Sequence, residues 1–240
     1  MMAQLAMPRQ QTQSVSERDW DSIDSVFLDM DGTLLDLHFD NHFWLEHVPK
    51  RYAEARGLAL EKAREFLFAQ YRAKRGTLAW YCIDHWSELL GLDIALLKAE
   101  VEHLIAVHPL VPEFLEALAT RGKRRVLVTN AHPRSLALKM ERTRLAGHFE
   151  RVISAHDLRH PKEAAPFWRA LQEVEPFDPR RTLFVDDNLD VLRAAADHGL
   201  RWLLAMLQPD SKLPPARISE FPAALGFAPL IAELLGSSAP

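Results

Sequence analysis

The chain has 240 residues, 48% of them apolar, with a formal charge of −4 and an isoelectric point near 6.3. This length favours one domain, or one core with a substantial insertion, and this composition is enough to bury it. The acid balance supplies no basic surface for polymeric DNA or RNA, the single cysteine, Cys82, excludes an internal disulfide, and no run approaches the roughly 18 apolar residues of a membrane span. A small anionic ligand at a local site and a cytoplasmic location are the expectations.

Residues 1–18 are Gln/Ser-rich and lack periodicity, and read as a mobile N-terminal extension. The first apolar run, Ser25 to Asp29, leads into Phe27-Leu-Asp-Met-Asp-Gly-Thr-Leu-Leu-Asp36. From residue 40 to 107 the chain has few β-branched residues and many Ala, Leu, Glu and Arg, which reads as helix almost throughout. Beyond it, Val111, Phe114, Leu115 and Leu118 stand at i, i+3, i+4 and i+7, with Pro112 suited to a first turn. Apolar runs recur at Arg125–Thr129, Arg151–Ser154, Thr182–Asp186 and Arg201–Ala205, followed by an irregular Pro-rich stretch from Pro209 to Pro222 and a last helix over Ala228 to Leu235. Short doubly apolar runs separated by helices form parallel sheets covered on both faces. The predicted fold is therefore α/β: a Rossmann-like core over residues 19–39 and 108–240, interrupted by an all-helical cap over residues 40–107.

Chemistry gathers at the predicted strand ends, where open α/β sheets bind ligands. Asp29 and Asp31 are spaced i and i+2, which a strand would put on one side; Thr129 with Asn130 and Asp186 with Asp187 end later strands, and Lys162 follows the third. Four carboxylates in one pocket repel unless a divalent cation is present, and hard oxygen donors suit Mg²⁺. An Asp can attack phosphorus, and a second Asp can protonate the departing oxygen and then activate water. Lys162 and the Thr129 hydroxyl can offset charge on the phosphate, and Gly32 provides the sharp turn out of the strand.

In this order the residues resemble the haloacid dehalogenase-like superfamily of phosphohydrolases: Asp-Met-Asp-Gly-Thr-Leu-Leu-Asp matches its first motif, Leu-Val-Thr-Asn its second, Lys162 its third and Leu-Phe-Val-Asp-Asp-Asn its fourth. The resemblance implies Asp29 as nucleophile and metal ligand, Asp31 as acid/base and carbonyl ligand, Thr129 and Lys162 on the phosphate, Asp187 on Mg²⁺, and Asp186 as a second ligand or acting through water; independently, backbone N–H groups around Met30 and Asn130 can donate to the phosphate. An acid at Asp31 argues against dehalogenation. Two departures stand out: Pro161-Lys162-Glu163 where many members have Lys-Pro, and Asn188 where many have Ser. Longer stretches, including Thr77-Leu-Ala-Trp-Tyr-Cys-Ile-Asp-His-Trp86 and Leu127-Val-Thr-Asn-Ala-His-Pro133, resemble bacterial GMP/IMP nucleotidases within the superfamily, which implies a purine nucleoside monophosphate as substrate.

The residues admit alternatives. The same core serves phosphatases of sugar phosphates and phosphoglycolate; a phospho-Asp signalling module also gathers acids, a Thr and a Lys at a sheet edge; a degenerate scaffold would bind a partner through the cap. Asn41 and Trp80 are candidate substrate contacts, while Trp80, Tyr81, Trp86, Phe43 and Trp44 weigh more towards bundle core than base stacking. Arg72, Lys74 and Arg75 read as a solvated charge run, His38 and His132 as substrate contacts or packing residues, Cys82 as a small core residue, and Asp190 as a first-turn residue.

Overall fold

The computed structural model describes residues 19–236, so the predicted N-terminal extension lies outside the described residues. The sheet is built from β1 (Ser25–Leu28), β2 (Arg124–Thr129), β3 (Arg151–Ser154), β4 (Thr182–Asp186), β5 (Trp202–Met206) and β6 (Ala223–Ala224), all parallel, in the order β3-β2-β1-β4-β5-β6. Three of the predicted runs shift by a residue: Asp29 lies just beyond β1, β2 begins at Arg124, and β5 begins at Trp202. The last strand was not anticipated, because two alanines inside a Pro-rich segment carry no apolar run of their own; they join by backbone pairing, Ala205 to Ala223 and Met206 to Ala224.

Alternation along the strands sorts the core. Val26, Leu28, Leu127, Leu183 and Val185 face one side, where α7 (Val111–Thr120) and α11 (Ala228–Leu235) cover them with Val111, Phe114, Leu115, Leu118, Leu230 and Leu234. Phe27, Val126, Val128 and Phe184 face the other, packed under α9 (Ala165–Val174) and α10 (Leu189–Asp197) through Phe167, Trp168, Leu171, Val191 and Leu192. Both faces are thus sealed, as the doubly apolar strand sequences require.

Between β1 and β2 the chain forms α1 (His38–His42), α2 (Val48–Arg56), α3 (Leu60–Lys74), α4 (Leu78–Tyr81), α5 (Ile83–Leu90) and α6 (Ile94–Glu100), with a third hydrophobic cluster that includes Phe39, Phe43, Leu67, Tyr71, Trp86, Leu90 and Leu97. A π-helical turn, Phe43–His47, joins α1 to α2. Pro49, in the first turn of α2, has no N–H to donate to Leu45, so the i→i−4 ladder is interrupted at this junction; Trp44 and Leu45 line the cavity described below. After β2, α8 (Pro133–Thr143) returns beside this insertion.

Candidate active site

The connections from the two central strands leave in opposite directions, so a crevice opens where the carboxyl ends of β1 and β4 lie side by side. Asp29 stands at its mouth, its N–H donating to the Val185 carbonyl at 3.0 Å; Asp186 ends β4, and Asp187 follows. Carboxylate oxygens of Asp29, Asp186 and Asp187 lie within 4.8 Å of one another. Buried Lys162 enters between them, donating to Asp29, to Asp186 Oδ2 at 2.7 Å and to the Val128 carbonyl at 3.1 Å. Its backbone is fixed at both ends, with the N–H on Asn130 Oδ1 at 2.9 Å and the carbonyl on Trp168 Nε1 at 2.8 Å.

One ammonium does not balance three acids. Burial, reinforced by Asp186, pushes Asp29 up to about 7 against the pull of Lys162. Burial with the neighbouring charges of Asp186 and Asp29 pushes Asp187 well up, while Lys162, which burial alone would lower, is held above its ordinary value by Asp186 and Asp29. Excess negative charge on hard oxygen donors fits a small divalent cation. The backbone agrees: Gly32 sits at φ 88°, and a Cβ there would lie 2.6 Å from Asp187 Oδ2, so glycine leaves the space that the Asp187 carboxylate occupies.

Asp31 is held by a different lysine. Because β1 ends at Leu28, strand alternation does not reach it, and the expected crowding with Asp29 is relieved by a lysine: Lys139 Nζ on α8 lies 2.6 Å from Asp31 Oδ1 and 2.5 Å from Asp40 Oδ2, and Lys98 Nζ lies 2.8 Å from Asp40 Oδ1. Two buried lysines and two acids alternate from the core into the insertion. Burial still raises Asp31 to about 6, a value suited to a group that must give and take a proton near neutrality. Lys139 was not singled out from the sequence, although a lysine on the same helical face as buried Ser135 and Leu136 is the available signal.

Above the carboxylates is a cavity of about 300 Å³, lined by Asp29, Asp31, Asn41, Trp44, Trp80, Tyr81, Thr129, Asn130, His132, Lys139, Lys162, Asp186 and Asp187 among others. All nine sequence-predicted site residues therefore meet in one place. Thr129 is buried with its Oγ1 accepting from the Ala131 N–H at 3.0 Å, and Asn130 donates to Glu163 Oε2 at 3.0 Å. Glu163 also accepts from Tyr81 at 2.5 Å, which ties the insertion to the core. Asn41 reaches the cavity but its amide is engaged by Asp210 Oδ2 at 2.7 Å, and His38 also pairs with Asp210, at 3.7 Å. Phe43 and Trp86 are fully buried core, whereas Trp44, Trp80 and Tyr81 are half-buried and line the cavity. Asp190 is an exposed first-turn residue bonded to Arg193 at 2.6 Å. Arg72 and Arg75 are exposed and, like Lys74, do not line the cavity. Cys82 is half-buried and caps α5 rather than packing in the core.

The profile of the haloacid dehalogenase-like hydrolases matches residues 23–199, the span that carries every strand-end acid named above. The chain belongs to this family of hydrolases. Within it, the sequence is 41% identical over 216 residues to the GMP/IMP nucleotidase YrfG of Escherichia coli (strain K12), covering 90% of this chain and 97% of that protein, and equally similar to its Shigella flexneri counterpart. Among solved structures, a haloacid dehalogenase-like phosphatase from Thermococcus onnurineus superposes with a TM-score of 0.74 at 21% identity, covering 90% of this chain and 99% of that one. The L-2-haloacid dehalogenase of Xanthobacter autotrophicus superposes at 0.60 and 17% identity, so the fold is shared across different chemistries. Among the described residues no helix is long and apolar enough to cross a membrane.

Proposed function

We propose that this hydrolase is a Mg²⁺-dependent phosphomonoesterase that converts purine 5′-monophosphates, GMP and IMP, to nucleoside and phosphate through an aspartyl phosphate. The observation that carries the chemistry is the three-carboxylate cluster threaded by Lys162 in a cavity also lined by Trp44, Trp80 and Tyr81. The substrate class rests on the 41% identity to a GMP/IMP nucleotidase.

Asp29 attacks phosphorus, and the bond to the ester oxygen breaks as that oxygen takes a proton from Asp31. Asp31, then ionised beside Lys139, accepts a proton from the water that attacks the phosphoenzyme, and phosphate leaves with Asp29 regenerated. Lys162 and Thr129 hold the phosphoryl oxygens, and the Asn130–Glu163–Tyr81 bonds fix the loops that present them. Asp29, Asp187 and Asp186, with the Asp31 carbonyl, would hold Mg²⁺, which supplies charge compensation for the phosphoryl group. Residues 40–107 act as a cap over the site: Trp44 and Trp80 offer the base a stacking surface, and their closure excludes water.

The test is phosphate release from GMP, IMP, AMP, glucose 6-phosphate and phosphoglycolate with Mg²⁺. GMP and IMP should exceed the two small phosphates by at least about tenfold in kcat/KM, a discrimination of roughly 1.4 kcal/mol. A preference for the sugar phosphate or phosphoglycolate would remove the nucleotide assignment and keep the chemistry.

A further inference from the structure

A second constellation of ligating side chains lies outside the acidic cluster. Cys82, at the junction of α4 and α5, meets two core residues, His132 from the loop after β2 and His156 from the loop after β3; one ligand atom from each lies within 4.8 Å of the others. The imidazoles of His132 and His156 pack edge to face with centroids 4.9 Å apart. Asp84, in the first turn of α5, places Oδ2 at 3.3 Å from His132 Nε2. His156 Nε2 is buried with no hydrogen-bond partner, which leaves a polar atom unsatisfied at a cost. Cys82 and His156 do not line the catalytic cavity.

A thiol, two imidazoles and a nearby carboxylate form a mixed N, S and O donor set, the preference of a borderline-soft cation and unlike the all-oxygen set of the acidic cluster. Zn²⁺ bonds of about 2.3 Å to sulfur and about 2.0 Å to nitrogen place tetrahedral ligands roughly 3.3–3.5 Å apart. Ligand atoms already within 4.8 Å need close by only about an ångström, within reach of small side-chain rotations at half-buried positions. Burial holds His156 down to about 4, with His132 adding to the effect, so the ring is in the neutral, ligating form near neutrality.

We propose that Cys82, His132 and His156, with Asp84 as the fourth ligand, form a Zn²⁺ site that bridges the helical insertion and the core. Binding releases the Cys82 proton to solvent and forms the metal–thiolate bond, with no change of oxidation state. The bridge joins the insertion to the loops after β2 and β3 one residue from Tyr81, whose hydroxyl already reaches Glu163. A metal there holds the insertion against the core, so it slows any turnover that needs the two to separate.

The probe is Co²⁺, added to the full chain with Mg²⁺ in excess so that the acidic cluster is engaged. Wild type should take up one Co²⁺ with a thiolate-to-metal charge-transfer band, displaced by Zn²⁺; Cys82→Ser should lose the band, and His156→Asn should weaken the apparent affinity at least tenfold. Mg²⁺-dependent turnover of both variants, measured without Co²⁺ or Zn²⁺, checks that they are folded. Zn²⁺ should raise the melting temperature and lower kcat in wild type and do neither in Cys82→Ser. Absence of a thiolate band in wild type, or a band unchanged in His156→Asn, would overturn the site. Equal inhibition of wild type and Cys82→Ser by Zn²⁺ would assign that inhibition to the acidic cluster and overturn the bridge. The catalytic assignment stands or falls separately, on the substrate panel.

Discussion

Gly32→Ala isolates the part of the site that depends on backbone geometry. At φ 88° an alanine suffers the left-handed penalty of roughly 1–2 kcal/mol, which for a chain of this size lowers the melting temperature by roughly 2–8 °C. The added Cβ would also fall 2.6 Å from Asp187 Oδ2 and 2.7 Å from its Cγ. Ordinary carbon contacts lie at about 3.5–4.0 Å, so the carboxylate must retreat by about 1 Å. Misplacement on that scale costs about a hundredfold in rate, and loss of a supporting contact costs about 10–100-fold in metal affinity. We expect kcat/KM to fall about a hundredfold and the Mg²⁺ concentration for half-maximal rate to rise by at least tenfold, measured at 25 °C where the variant remains folded. Gly122→Ala is the control: φ there is 64°, with nothing within 4 Å of an added Cβ, so it should lose stability and keep its Mg²⁺ dependence. A Gly32→Ala enzyme matching wild type in its Mg²⁺ titration would refute the role of Asp187.

Asp31→Asn should lose GMP hydrolysis by at least about a hundredfold yet retain far more activity on an aryl phosphate whose leaving oxygen needs little protonation; equal loss on both substrates would remove Asp31 as the general acid. Lys139→Met leaves Asp31 without its ammonium and should destabilise by about 3–5 kcal/mol by urea denaturation, whereas a change under about 1 kcal/mol would show the buried network to be incidental. Burial pushes Asp40 up, but Lys139 and Lys98 outweigh it and hold the carboxyl well below its ordinary value near 3.8. Its stabilisation is therefore complete above that value and lost as the pH falls through and beneath it, so the melting-temperature deficit of Asp40→Asn should be constant from neutrality to about pH 5 and shrink towards pH 3. A deficit that grows with acid would contradict this sign.

Much of this was legible from residue order because the physics involved is local. Doubly apolar runs dictate parallel strands, and the α7 face at Val111, Phe114, Leu115 and Leu118 follows from period alone, with all four fully buried as expected. The strand-end acids could be placed together because a doubly wound sheet brings strand ends to one edge. What depended on distance along the chain was not legible. Lys139 reaches Asp31 across 108 positions, and Tyr81 reaches Glu163 across 82; no spacing rule marks either pair. The aromatic residues of the insertion share one composition but divide by packing, Trp86 into its core and Trp80 towards the cavity. The pairing of β6 is a backbone property that no apolar run marks, and Cys82 reads as core from its apolar helix, whereas its histidine neighbours come from two distant loops.

The central claim is that Asp29 carries the phosphoryl group of a purine nucleotide. Rapid acid quench of the enzyme turning over GMP radiolabelled on phosphorus tests it directly. We predict an acid-stable, hydroxylamine-labile label on the peptide containing Asp29, formed faster than phosphate is released and absent from Asp29→Asn. Steady release of phosphate with no trapped phosphoenzyme, or turnover that survives in Asp29→Asn, would contradict the account.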